Sequence, residues 1–564
     1  MTETTAPIAG TNRTSTARIG WAVLIVATLY VCYFSHLGAI GFVGPDEPRY
    51  AWIARDMAES GDWVTPRLYG RPWFEKPPLF YWGAALSFKL FGVSEAAARL
   101  PSAVSALLAT LALAWLALRL YCAETARWVL LLLPTTVGMI GFSHAAATDM
   151  PFSGMLTIAM VCAAVVLGLT RDENTPILPR TPWLALLLFG FFLGLAVLAK
   201  GPAAIILSGG AVFFWALFTK RWRDAFRLVH PVALASFCLT ALPWYIACAR
   251  RNPDFFRIFI IEHNLKRYLT PEFQHIQPFW FYLPVLLVAF LPWTALLVWT
   301  AIEGGARVAE SKKISPNSLF LLVWSVFVVL FFSLSRSKLP GYILPSIPPI
   351  CLIVAHAYVA MALAYRKSFR IIAITAAAIL FLLFALVREL TPHISRTNER
   401  FGVIVSCSLI LMGAANLFLA IFCPSRPSTD IRRAFAACSV VPILIFVSLA
   451  DVLLTSYFRW DPSGRTLSEE IRRNGIPSLG LLVRSMSRGQ RYSLSFYLHD
   501  EVTDWDVDHP KEGYILLGGR YCRDAMGPGL TCREIPFNQE KTGFFLYRIE
   551  PQSPGGLPRS GEAQ

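Results

Sequence analysis

The sequence predicts a mainly α-helical, polytopic membrane protein with a small C-terminal α/β domain outside the membrane. Three observations predict it. Hydrophobic residues make up 55% of the 564-residue chain and charged residues 15%, against about 25% charged in a typical soluble domain. Thirteen apolar runs stand along the chain, and a run of about 20 residues is enough to cross ~30 Å of hydrocarbon. Beyond the last run the composition turns polar, with short strand-like segments set off by turn residues.

The runs lie at 19–43, 100–119, 128–146, 150–169, 183–199, 202–219, 229–249, 280–302, 318–334, 343–364, 371–390, 401–422 and 434–455. The first follows Arg13 and Arg18 but exceeds the 7–15 residues of a signal-peptide core and lacks a small-residue cleavage site, so it is expected to stay as an anchor. Residues 1–18 are then a cytosolic tail, 19–455 the membrane domain, 456–550 a periplasmic α/β domain and 551–564 a disordered tail. The net charge of +15 does not imply nucleic acid, because the basic residues cluster in short loops between apolar runs, where they set topology.

With the N-terminus inside, the basic loops Arg119 to Arg127, Arg171 to Arg180, Lys220 to Arg223, Arg307 to Lys313, Arg366 to Arg370 and Arg426 to Arg433 face the cytosol. Two basic loops fall outside against this rule: Glu262-His263-Asn264-Leu265-Lys266-Arg267-Tyr268 and Ser335-Arg336-Ser337-Lys338-Leu339-Pro340. They share a face with two acidic elements at span mouths, Gly44-Pro45-Asp46-Glu47-Pro48-Arg49-Tyr50 and Ala147-Thr148-Asp149-Met150-Pro151. Carboxylates placed there are costly unless paired or working. Outer cations beside them point to an anionic ligand on the outer face.

The first outer loop, 44–99, is too long for a simple connector. Tyr50, Ile53, Ala54 and Met57 fall on one side of a helix, with Arg49, Arg55 and Asp56 off it, the pattern of a helix along the membrane surface. Pro77-Pro78 fixes the loop's exit. In the C-terminal domain a helical spacing joins Leu467, Ile471, Leu481 and Leu482, and strands are expected over 492–498, 513–517 and 543–548. Cys522 and Cys532 can close a short loop in an oxidising compartment, given Cα geometry that spacing alone does not fix.

Eight motifs in order carry a family resemblance over most of residues 40–350. They are Asp46-Glu47-Pro48-Arg49-Tyr50, Phe74-Glu75-Lys76-Pro77-Pro78, Thr148-Asp149-Met150, Leu198-Ala199-Lys200-Gly201-Pro202, Pro243-Trp244-Tyr245, Glu262 to Tyr268, Pro278 to Pro284, and Lys338 to Pro345. The chain resembles the GT-C glycosyltransferases that use polyprenyl-phosphate sugars, and within them the lipid A 4-amino-4-deoxy-L-arabinose transferase family. The resemblance implies transfer of a sugar from undecaprenyl phosphate to lipid A or a related lipopolysaccharide acceptor, at the periplasmic face of the bacterial inner membrane. It places Asp46 and Asp149 at the two essential carboxylates, Lys76, Arg267 and Tyr342 at the donor phosphate, and Glu75 at a metal-contacting position. The family's partner histidine for a zinc or magnesium ion has no counterpart, since no histidine stands between His393 and His499.

The implied chemistry needs cations where undecaprenyl phosphate departs, and Lys200 and Lys338 join Lys76 and Arg267 as candidates. No metal is obligatory without a nucleotide diphosphate. Asp46 acts as a general base if the acceptor is a hydroxyl, and orients the sugar or balances its developing charge if the acceptor is an ionised phosphate. Simpler roles compete: helix capping for Asp46 and Asp149, a surface pair for Lys76 with Glu75, snorkelling for Lys200 and Lys338, and an aromatic belt for Trp73 and Trp280. Other readings are a same-fold transferase of another sugar to lipopolysaccharide core or to protein, and a lipid-linked sugar transporter, for which no internal repeat is visible.

Overall fold

The computed structural model describes residues 11–171, 181–266, 276–311, 314–362, 370–371, 373–375, 377–378, 380–382, 384–385, 399–422, 439–441, 443–445, 447–448, 463–518, 522 and 530–552. Six of its helices are long and apolar enough to cross a membrane: Glu95–Leu120, Asp149–Val166, Trp183–Lys200, Pro231–Arg251, Pro316–Leu334 and Pro340–Ala360. Two bent pairs raise the number to as many as eight, Ala123–Leu132 with Val137–Ser143 at 61° and Phe279–Ala289 with Thr294–Ala306 at 120°. Large apolar side chains such as Leu184 and Leu239, 70% and 77% exposed, face outward. In a multi-pass membrane protein lipid covers such side chains.

The apolar runs and the helices differ where the chain breaks. The run 19–43 stays helical only to Tyr33, in helix α1 (Thr11–Tyr33), because the following residues turn to meet the outer loop. The run 128–146 divides between α5 (Ala123–Leu132) and α6 (Val137–Ser143), and 280–302 divides at Phe290–Trp293. The run 434–455 lies largely outside the described residues, as do much of the run 371–390, most of the tail 551–564 and nearly all of the 171–180 loop.

The outer loop folds into α2 (Asp46–Ser60), a two-residue hairpin of β1 (Arg67–Leu68) and β2 (Arg71–Pro72), and α3 (Leu79–Phe91). Tyr50, Ile53, Ala54 and Met57 of α2 are all buried, as their spacing predicts. Their partners are protein, however: Phe80, Tyr81 and Phe88 of α3, with Phe496 from the C-terminal domain. Arg49, expected on the polar side, is buried as well, 5% exposed. α4 (Glu95–Leu120) then starts at Ser94, whose hydroxyl accepts from the Ala97 amide.

The C-terminal domain is a five-stranded mixed sheet ordered β4-β3-β5-β7-β6. Its strands are β3 (Leu482–Arg484), β4 (Thr503–Asp504), β5 (Gly513–Leu517), β6 (Leu530–Ile535) and β7 (Phe545–Pro551). Alternate residues feed two cores, Val483, Leu516 and Leu546 on one face and Leu482, Ile515, Leu517 and Ile549 on the other. Leu482 therefore belongs to a strand and not to the helix, which covers Arg465–Arg473. The expected strand at 492–498 is a helix, Arg488–Leu498. It is buried on two sides, Leu494 and Leu498 against the sheet and Phe496 with Tyr492 and Tyr497 against the outer loop. Burial on both sides imitates the two-residue period of a strand. Cys522 and Cys532 are joined, with Cα atoms 6.2 Å apart.

Polar ties fix this domain to the outer loop. Arg465 and the Tyr497 hydroxyl both donate to Glu95 at 2.6 Å, and the Phe42 amide donates to the Tyr497 oxygen at 3.2 Å. His499 meets Glu59 at 3.1 Å.

Candidate active site

Both candidate carboxylates sit in the first turn of a helix and neither caps it. α2 begins at Asp46 with Pro45 in the cap position, and α7 (Asp149–Val166) begins at Asp149 with Thr148 there, in each case without a side-chain capping bond. The positive helix end favours a carboxylate at such a place, and both groups instead take cationic partners.

Asp46 Oδ1 accepts from Arg49 at 2.5 Å, and Arg49 reaches Glu75 Oε2 at 3.1 Å. Lys76 lies 3.4 Å from Glu75 Oε1. A line of alternating charge thus runs from Asp46, whose side chain is 52% exposed, through buried Arg49 and Glu75 to Lys76. Burial works against the charge of Arg49, yet Glu75, with Tyr50 and Asp46 behind it, more than offsets that cost and holds its pKa above the ordinary arginine value. Burial first, and Glu75 next, keep the Tyr50 and Tyr81 hydroxyls protonated. Trp73, expected in an aromatic belt, lies with its ring centre 5.2 Å from the Arg49 guanidinium. Trp280 is exposed.

The second group forms where α7 meets α8 (Trp183–Lys200). Lys200 Nζ contacts Asp149 Oδ1 at 2.5 Å, and its ammonium stands 4.7 Å from the centre of the Tyr342 ring. Gly341 lets the loop pass close to this pair, since a Cβ there would come 2.7 Å from Asp149 Oδ1 and 2.8 Å from Phe142. Lys338 is buried, and its ammonium donates to the carbonyls of Ser335 at 2.6 Å and Gln277 at 3.0 Å. In that position it holds together the loop leading to Tyr342. Arg267 lies outside the described residues, next to an exposed Lys266.

The two groups are linked. Phe74, beside Glu75, and Leu198, just before Lys200, share a buried cluster with Trp244 and Phe255. The Pro243-Trp244-Tyr245 motif is structural here: Trp244 Nε1 donates to the Val64 carbonyl at 2.9 Å, and the Tyr245 hydroxyl to that of Val197 at 3.2 Å. Glu47 makes a second link. It takes both Nε and Nη2 of Arg99, at 3.0 and 2.9 Å, and accepts from the Ala146 amide at 2.7 Å, three residues before Asp149. Sequence reasoning missed Arg49 and Arg99, although the i, i+3 spacing of Asp46 and Arg49 is a legible ion-pair signal.

Next to the Asp149 group is an apolar cavity of about 630 Å³. α6 contributes Val137, Gly141 and Phe142 to it, and the bent segment 281–289 contributes Val285 and Val288. Pro340 and Ile343 close it toward Tyr342. Both oxygens of Glu75 face cations, Arg49 at 3.1 Å and Lys76 at 3.4 Å. Among the described residues no group of three His, Cys, Asp or Glu side chains gathers to hold a divalent metal.

Known proteins resemble this chain. A family model described as dolichyl-phosphate-mannose-protein mannosyltransferase matches residues 19–259. The undecaprenyl phosphate-alpha-4-amino-4-deoxy-L-arabinose arabinosyl transferase of Erwinia tasmaniensis is 30% identical over 507 residues, 84% of this chain and 88% of the relative. The enzyme of that name from Aeromonas salmonicida is 34% identical over 336 residues, 59% of each chain. The crystal structure of ArnT from Cupriavidus metallidurans bound to undecaprenyl phosphate has the same fold, with a TM-score of 0.77 at 24% identity over 94% of this chain and 98% of that one. On this likeness the chain belongs to the undecaprenyl phosphate-alpha-4-amino-4-deoxy-L-arabinose arabinosyl transferase family.

Proposed function

We propose that this protein transfers 4-amino-4-deoxy-L-arabinose from undecaprenyl phosphate to a phosphate of lipid A or a related lipopolysaccharide acceptor. The observation that carries this reading is the pair of helix-start carboxylates, each ion-paired with a cation, with an apolar cavity next to the Asp149 pair. A polyprenyl phosphate needs apolar volume for its chain and cations for its head. The cavity offers the first, Lys200 and Lys76 offer the second together with Arg267, and Tyr342 adds a hydroxyl donor.

In the reaction the bond from sugar C1 to the donor phosphate breaks, and its electron pair leaves with undecaprenyl phosphate. The acceptor phosphate oxygen forms the new bond to C1. An ionised acceptor gives up no proton, so the Asp46 carboxylate orients the sugar and balances the positive charge that develops on its ring. Lys76 and Lys200 stabilise the departing phosphate as its charge grows, and the carboxylates beside them hold them aimed. No step requires a metal.

The test is purified protein with undecaprenyl-phosphate aminoarabinose and lipid A, read by mass spectrometry. Wild-type protein is expected to add one aminoarabinose to lipid A, and no mass gain on lipid A would overturn the reading. Lys76→Ala and Arg267→Ala are expected to weaken use of the donor about 10-fold or more, the loss expected for a charge-assisted contact. Arg223→Ala, exposed and far along the chain in a loop assigned to the inner side, should leave it unchanged.

If all thirteen apolar runs cross the membrane from an inside start, the sheet domain lies in the periplasm with the site. Thiol labelling of intact cells is then expected to miss Cys522 and Cys532 until a reductant is added. Labelling of both without reductant, or activity of a cytosol-only reporter fused after Gln564, would reverse this topology.

A further inference from the structure

The C-terminal domain does more than cover the outer loop. Its helix Arg488–Leu498 brings Tyr492 to a position where three guanidinium groups surround the ring: Arg49 at 5.9 Å, Arg488 at 5.4 Å and Arg491 at 5.9 Å from its centre. One of the three, Arg49, is the partner of Asp46. The approach is close because residue 489 is glycine, where a Cβ would come 2.9 Å from the Gly44 carbonyl carbon, two residues before Asp46. Tyr69 and Trp73 complete an aromatic wall, 6.3 Å from the Tyr492 ring centre and 5.2 Å from the Arg49 guanidinium.

Two polar atoms at this junction lack a partner among the described residues. They are Arg49 Nε and Trp73 Nε1, both buried donors. Burying a donor without an acceptor is costly, so an acceptor-rich ligand suits the place. Arg491 is anchored by Asp504 at 3.3 Å, whereas Arg488 is exposed and touches the Tyr492 hydroxyl through Nε at 3.3 Å. Guanidinium groups on a shared aromatic ring fit a phosphate, which they grip with two parallel bonds.

We propose that Arg488, Arg491 and Tyr492 form the acceptor subsite, binding a phosphate on the sugar headgroup of the acceptor and holding it over Asp46. The proposal rests on the transferase reading above and assigns the acceptor side of the same site. The lipid-linked donor belongs with Lys200 and Tyr342 at the apolar cavity. The acceptor phosphate enters from the sheet domain, which makes that domain a determinant of acceptor choice.

The test uses full-length protein in detergent and two soluble probes, a phosphorylated glucosamine disaccharide and the same disaccharide without phosphate. Wild type is expected to bind the phosphorylated probe at least about 10-fold more tightly, as for one charge-assisted contact. Arg488→Ala should erase most of that difference, Arg488→Lys should restore part of it, and affinity for undecaprenyl phosphate should stay at the wild-type value. In transfer assays Arg488→Ala should raise the acceptor KM with little change in kcat. Equal binding of both probes by wild type overturns the proposal, as does an Arg488→Ala defect in undecaprenyl phosphate binding instead of probe binding. A protein that binds the phosphorylated probe through Arg488 but transfers no sugar keeps the subsite and overturns the transferase reading.

Discussion

Replacing Asp46 by asparagine is expected to lower sugar transfer at least ~100-fold while the protein remains folded, the range for loss of one electrostatic or acid–base group. The geometry separates the two effects. Asp46 is half-exposed and caps no backbone donor, so the fold does not depend on its charge. An asparagine oxygen still accepts from Arg49, and Glu75 still neutralises that arginine at 3.1 Å. What disappears is the negative charge facing the open side of the site. The measurement is initial rate with saturating donor, alongside thermal unfolding in detergent. A rate near wild type would remove Asp46 from the mechanism, and a large loss of stability would make it a structural residue.

Much of this site was legible from sequence because its key carboxylates stand at the ends of apolar runs, where a charge has few innocent explanations. Asp46, Asp149 and Lys200 stand out in that way, and the structure pairs Lys200 with Asp149. Arg49 was hidden by the amphipathic pattern of its own helix. One face of α2 faces α3, but Trp73 and Tyr492 close over the other, and Tyr492 comes from chain more than 400 residues away. Helix Arg488–Leu498 was misread for a related reason, since burial on two faces removes the one-sided period that marks a surface helix. Breaks inside apolar runs were hidden too, because composition stays uniform through the bends at 133–136 and 290–293. Those bends matter to function, as α6 and the segment 281–289 line the apolar cavity.

Glu47, the neighbour of Asp46, is expected to behave in the opposite way: Glu47→Gln should cost about 3–5 kcal/mol of stability, the range for breaking a buried ion pair. Arg99 is 2% exposed and has all five of its N–H donors engaged. Three go to the carbonyls of Leu37, Ile40 and Gly41, and two to Glu47. The carboxylate is equally committed, accepting from the Val43 and Ala146 amides at 3.0 and 2.7 Å. A glutamine replaces one acceptor oxygen with an NH2 that faces donors, and it leaves the guanidinium charge buried without a counter-ion. A loss of this size is a large share of the ~5–15 kcal/mol that holds a typical protein folded. Lower yield and an earlier melting transition in detergent are therefore expected for Glu47→Gln. The double variant Glu47→Gln with Arg99→Met should recover part of the loss, because the stranded charge is gone. Wild-type melting with abolished transfer would make Glu47 a chemical participant. The clamp spans the turn before Asp46 and the turn before Asp149, so its loss should loosen both carboxylates together, where Asp46→Asn alters the charge of one and moves neither.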